Sequence, residues 1–241
     1  MNNNHHRLSD VYGVSRDIPL NYIERDSVDN NFIECLSADK HVIIYGSSKQ
    51  GKTCLRKNSL LDKDYILVQC QNSWGLDKLA ESILKEAGYT VEISTHKTVE
   101  NRQKLLASFM ASIPIIGGAK TDIGIDRSSA STVETHPLEI DPSDPNDLAN
   151  ALNSISFQKF IVLEDFHYLP KETQDQYAVF LKTIHERTKI CFIIVAVWRE
   201  ENRLILVNGD LAGRVVSVDA DAWSEAELKN VIAAGEKLLN I

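Results

Sequence analysis

The chain has 241 residues, 43% hydrophobic and 25% charged, enough for one α/β domain with a sizeable core or two small ones. Its net charge of -8 argues against a surface built mainly to grip nucleic-acid backbone, which needs a basic face. The longest apolar run, Ile190–Trp198, is far too short to span a membrane, and the start, Met1-Asn2-Asn3-Asn4-His5-His6, has no apolar signal core. The four cysteines, Cys35, Cys54, Cys70 and Cys191, share no metal-ligand spacing and read as reduced thiols of a cytoplasmic protein, with Cys70 and Cys191 buried at the ends of apolar runs.

In chain order, residues 1–19 are expected as a flexible N-terminal extension and 20–241 as one core. A short helical pattern, Val28, Phe32 and Leu36, follows Arg25. His41–Tyr45 reads as a buried strand running into Gly46, with a helix over Lys52–Leu61 after it. Tyr65–Cys70 is a second strand, and Leu76, Leu79, Ala80, Ile83 and Leu84 fall at helical spacing. Residues of about 113–146 break the pattern with Gly117-Gly118, Ser128-Ser129 and Asp141-Pro142-Ser143-Asp144-Pro145. They are expected as an irregular insert, with a small hairpin over Ile115–Ile125 around Lys120. Phe160–Leu163 is the third strand, followed by a helix carrying Tyr177, Phe180, Leu181 and Ile184. Cys191–Val197 and Val215–Val218 are the fourth and fifth strands. A last helix places Leu228, Val231, Ile232 and Leu239 on one face and opens with the capping box Ser224-Glu225-Ala226-Glu227. Strands alternating with helices imply a mainly parallel sheet covered on both sides.

The segment Gly46-Ser47-Ser48-Lys49-Gln50-Gly51-Lys52-Thr53 matches Gly-x4-Gly-Lys-Thr between a strand and a helix. Its glycines let the backbone wrap closely round phosphate, its amides converge as an anion nest, and the new helix adds its positive end. Lys52 is expected on the β- and γ-phosphates of ATP and the Thr53 hydroxyl on Mg2+. Lys49 and Gln50 are variable loop positions, and Cys54 is expected to pack beneath the loop.

Phe160-Ile161-Val162-Leu163-Glu164-Asp165 reads as a buried strand ending in two acids, the Walker B pattern. By position Glu164 serves the metal and Asp165 polarises the attacking water, although the usual order is Asp then Glu. His167 beyond them either assists proton transfer or packs near the site. Three arginines keep two readings each. Arg199 follows the fourth strand and either senses the γ-phosphate or pairs with Glu200 or Glu201. Arg214, just before the fifth strand, is either a finger toward a neighbouring subunit's nucleotide or an ordinary loop arginine. Arg25 either contacts adenine or packs.

This constellation resembles the AAA+ and STAND branch of P-loop ATPases over roughly residues 20–241. Ile23-Glu24-Arg25-Asp26 is similar to the arginine box before the P-loop in those families, and Glu164-Asp165 to their Walker B acids. Arg199 stands where their sensor-1 residue does, and Gly213-Arg214-Val215 is similar to their finger segment. The resemblance implies a three-layer P-loop sandwich with a five-stranded sheet in the order 5-1-4-3-2 and usually a helical lid; no lid is identified before Ile241. It also implies an ATPase acting as a nucleotide-dependent switch, with self-association or a protein effector as partner, in bacterial signalling or antiphage defence. Three rivals stay open: a DNA-processing ATPase of the origin-recognition or helicase-loader type, a nucleotide-binding adaptor that does not hydrolyse, and a small-molecule kinase.

Overall fold

The computed structural model describes residues 6–13, 17–89, 105–107, 138–201 and 203–241. Its centre is a parallel sheet of β1 (His41–Tyr45), β2 (Tyr65–Gln69), β5 (Phe160–Glu164), β6 (Phe192–Val195) and β7 (Val215–Asp219). Across the sheet the order is β2-β5-β6-β1-β7. Numbered as the five expected strands, that is 5-1-4-3-2 read from the other edge, as anticipated.

The alternation of side chains along each strand divides the core into two layers. Ile43, Val68, Ile161, Leu163, Phe192 and Ile194 face one way, against α4 (Leu76–Glu86), α5 (Pro145–Ser154) and α6 (Lys171–Arg187). Val42, Ile44, Val162, Ile193, Val195 and Val218 face the other way, against α2 (Asp26–Leu36) and α3 (Lys52–Ser59). Leu79, Ala80, Ile83 and Leu84 of α4 are all buried, as their spacing requires. Tyr177, Phe180, Leu181 and Ile184 do the same for α6, with Tyr177 stacked on Phe180 at 5.5 Å between ring centroids.

Four local expectations are corrected or bounded. The stretch expected as a flexible extension contains a short helix, α1 (Leu8–Tyr12), with Val11 fully buried and the Tyr12 hydroxyl donating to Ile232 O at 2.8 Å. The hairpin expected over 115–125 lies outside the described residues. The described end of that insert is ordered, however: β4 (Leu138–Ile140) pairs antiparallel with β3 (Leu105–Ala107), and Asp144 caps α5 by accepting from the Asn146 amide, with Pro145 at the first helical position. The reason is local: Asp-Pro here marks a helix start, not merely a break. Cys191 is only partly buried, unlike Cys70, because it precedes β6 rather than entering it.

The last helix, α8 (Glu225–Leu239), opens on the expected capping box, with Ser224 Oγ accepting from the Glu227 amide. Its apolar stripe does not cover the sheet. Leu228 and Ile232 are exposed, and the one buried position of α8 is Gly235, against the Tyr12 ring.

His41 opens β1 at zero exposure, with its Nδ1 accepting from the Phe192 amide at 3.1 Å and its Nε2 3.3 Å from Leu181 O. Burial, helped by nearby His185, pushes its pKa down to about 3. The unfolded chain therefore takes up a proton near pH 6.5 that the folded chain refuses until about pH 3. His41 costs no stability above pH 6.5, and stability falls as pH drops through that window by about 1.4 kcal/mol per pH unit. Urea unfolding at pH 6.5 and 4.5 is expected to show a wild-type loss about 2–3 kcal/mol larger than that of His41→Gln. Equal losses would show that His41 is not the group being titrated.

Candidate active site

β1 ends at Tyr45 and the chain leaves the sheet at Gly46, whose φ of 139° is open to glycine alone in practice. A Cβ there would stand 2.8 Å from the Asp221 carboxylate. Gly51 (φ 85°) and Lys49 (φ 65°) carry the further left-handed turns that wind the loop into α3. The loop is anchored at its mouth from both neighbouring strands. The Gly46 amide donates to Trp198 O at 3.0 Å, past the end of β6. The Ser47 amide donates to both carboxylate oxygens of Asp221, at 2.7 and 2.9 Å, past the end of β7.

Lys52 folds back over the loop, its Nζ donating to Gly46 O at 3.0 Å and Ser47 O at 2.6 Å. Burial lowers its pKa, against the opposing pull of Asp221, Glu164 and Asp165. Thr53 Oγ1 donates to Glu164 Oε1 at 2.7 Å, so the two residues expected around the metal are in contact. Two hard oxygens presented together suit Mg2+, which takes one or two side chains and completes its shell with water and phosphate. The residues present fit that ion.

Asp165 follows with φ 55°, a left-handed conformation that asparagine and aspartate tolerate better than most residues. Gln69, at the end of β2, donates to its Oδ2. The His167 Nδ1 accepts from the Val197 amide at 3.2 Å, tying the loop after β5 to the loop after β6. Burial lowers the His167 pKa, which favours the neutral ring this bond needs. His167 therefore packs near the site as a strut between loops.

Lys52, Thr53, Glu164 and Asp165 share one cavity of about 380 Å3, together with Ser48, Lys49, Gln50, Gly51 and Cys54. Cys54 is partly buried and lines the cavity rather than lying sealed beneath it. A second, more apolar cavity of about 270 Å3 adjoins it, between Tyr22, Arg25, Cys54, Trp223 and Val231. Arg25 is 1% exposed; its guanidinium lies 4.2 Å from the Trp223 ring centroid and donates to Ala220 O at 2.9 Å. Arg25 thus forms part of the wall of that smaller cavity and is held there by contacts within the chain.

Arg199 is exposed on the loop whose Val197 lines the larger cavity. Arg214 is held by Glu186 at 2.9 Å and by Asp210 O. It precedes β7, and its carbonyl accepts from the amide of His41, the first residue of β1. It thus stands at the opposite end of the sheet from the loop that follows β1.

Four residues with contacts to the site carried no signal strong enough in the sequence: Gln69, Arg56, Asp221 and Trp223. Arg56 is the exception in principle, since it lies three positions after Thr53 and so on the same helix face. The other three reach the site only through the sheet order.

No family model matches this chain, and no curated protein sequence does. Solved structures do. The Orc1 protein of Aeropyrum pernix, in complex with DNA, is 13% identical with a TM-score of 0.52, covering 91% of this chain and 51% of that one. Cdc6p of Pyrobaculum aerophilum is 10% identical with a TM-score of 0.53, covering 93% and 52%. The Walker-type ATPase PABY2304 of Pyrococcus abyssi is 11% identical with a TM-score of 0.51, covering 91% and 59%. The chain thus spans about half the length of these structures, and the likeness establishes the fold, a three-layer α/β sandwich around a parallel five-stranded sheet.

Proposed function

We propose that the chain is a Mg2+-dependent, ATP-binding and ATP-hydrolysing AAA+/STAND-like domain that works as a nucleotide-dependent switch or oligomerisation module. The observation that carries this reading is the meeting of Lys52, Thr53, Glu164 and Asp165 in one cavity at the carboxyl ends of β1 and β5. The loop amides and Lys52 would hold the phosphates, and the smaller apolar cavity beside Trp223 has the character a purine needs. Thr53 and Glu164 would hold Mg2+, which when bound neutralises charge on the β- and γ-phosphates. Asp165, kept in place by Gln69, would orient water and accept its proton. Arg214 faces away from its own chain's site, so the nucleotide it would meet is a neighbouring subunit's.

The test is calorimetric titration with Mg·ATP, followed by light scattering in ATP and in ADP. Micromolar or tighter binding and a larger mass in ATP are expected. No ATP binding would sink the reading, and an unchanged mass would remove the oligomerisation half of it. Bacterial signalling or antiphage defence is the setting that the STAND resemblance suggests.

A DNA-processing role is the second reading, favoured by the fold likeness to the DNA-bound Orc1 protein. The net charge of -8 weighs against it. Gel shifts across a salt series would promote it if retention fell steeply with salt.

A further inference from the structure

Glu164 is held on both carboxylate oxygens by one helix. Oε1 accepts from Thr53, as described, and Oε2 accepts from Arg56 Nε at 3.2 Å. Both donors stand on α3, three residues apart, so the helix that begins at the phosphate loop presents a hydroxyl and a guanidinium to the end of β5. Arg56 is 1% exposed and Glu164 7%. The Arg56 guanidinium lies 4.9 Å from the Tyr65 ring centroid, and its Nη1 has no hydrogen-bond partner among the described residues. An arginine at this depth is costly unless its charge is used, and an apolar side chain would fill the space more cheaply.

The reversed order of the two acids gives the contact its purpose. Glutamate is one methylene longer than aspartate, about 1.5 Å of extra reach with one more rotatable bond. Left alone, that carboxylate has several rotamers, only some of which meet Thr53. Arg56 removes this freedom by fixing the second oxygen.

We propose that Arg56 is a positioning residue that holds Glu164 in register with Thr53, so that a glutamate serves where the usual pattern has an aspartate in orienting the shell of Mg2+ that arrives with ATP. The proposal rests on the ATP-site reading above. It makes Arg56 act through Glu164, without touching nucleotide.

The experiment is ATP titration calorimetry in Mg2+ and in EDTA for wild type, R56K, R56M, E164D and R56M/E164D, with thermal melting alongside. Wild type is expected to bind ATP more tightly in Mg2+. R56M is expected to lose about tenfold of that gain while binding in EDTA stays within twofold. E164D, too short to reach both donors, is expected to lose a similar amount, and the double variant no more than either single one. R56K is expected to recover part of the gain. A full Mg2+ gain in R56M overturns the proposal, as does an equal loss in both buffers, which marks general damage to the fold. If R56M does not fold, R56K decides: a partial loss confined to Mg2+ supports the proposal, and an unchanged gain overturns it. Wild type that binds no ATP in either buffer refutes the ATP-site reading itself, and the proposal with it.

Discussion

Asp165→Asn is expected to leave ATP bound and to cut its turnover by about 10²–10⁴-fold, the usual worth of a placed general base. The substitution is close to isosteric. Asparagine tolerates the left-handed backbone at this position, and its amide oxygen can still accept from Gln69. What disappears is the ability to take a proton from water. Phosphate release in a single turnover, with binding measured separately, checks this. Full turnover in Asp165→Asn would move the base to another group, with Glu164 the nearest alternative in sequence.

Lys52→Ala is expected to weaken ATP binding by about 100-fold or more. Hydrogen bonds to charged groups contribute about 1.5–3 kcal/mol each. Two of them lost from phosphate amount to at least ~3 kcal/mol, or roughly two powers of ten. In the structure the Lys52 ammonium is occupied by Gly46 O and Ser47 O, so its removal also loosens the loop. The melting temperature is expected to change little, because Leu55 and the rest of the buried face of α3 remain packed. Equal affinity in wild type and Lys52→Ala would remove the phosphate-binding reading of the loop altogether.

The sheet was legible because buried parallel strands are short runs of Val, Ile and Leu, and the sequence carries five of them. Their order came from the family resemblance, and no periodicity could have supplied it. The Gly46–Thr53 loop and Glu164-Asp165 were legible because their chemistry is compressed into adjacent residues. The outer parts were harder. Leu228 and Ile232 have helical spacing, yet spacing does not say what, if anything, a face covers, and both are exposed. Asp144-Pro145 reads as interruption in the sequence, although a capping side chain followed by proline is also how helices begin. Asp221 and Gln69 sit at the ends of β7 and β2, and only the folded sheet brings them beside Ser47 and Asp165. Arg56 illustrates a different gap: its position on the helix was calculable, but its burial was not.

The phosphate loop is tethered at Gly46 by the segment after β6 and at Ser47 by Asp221 after β7. These hydrogen bonds form when the sheet forms. The conformational entropy of the loop's first residues is thus lost during folding, and a ligand meets a mouth whose shape is already set. Rigidity of this kind has a direction. Any shift in the register of β7 against β1 pulls on Ser47 through a single side chain, so the outer strand and the helix that leaves it are mechanically geared to the loop proposed to bind phosphate.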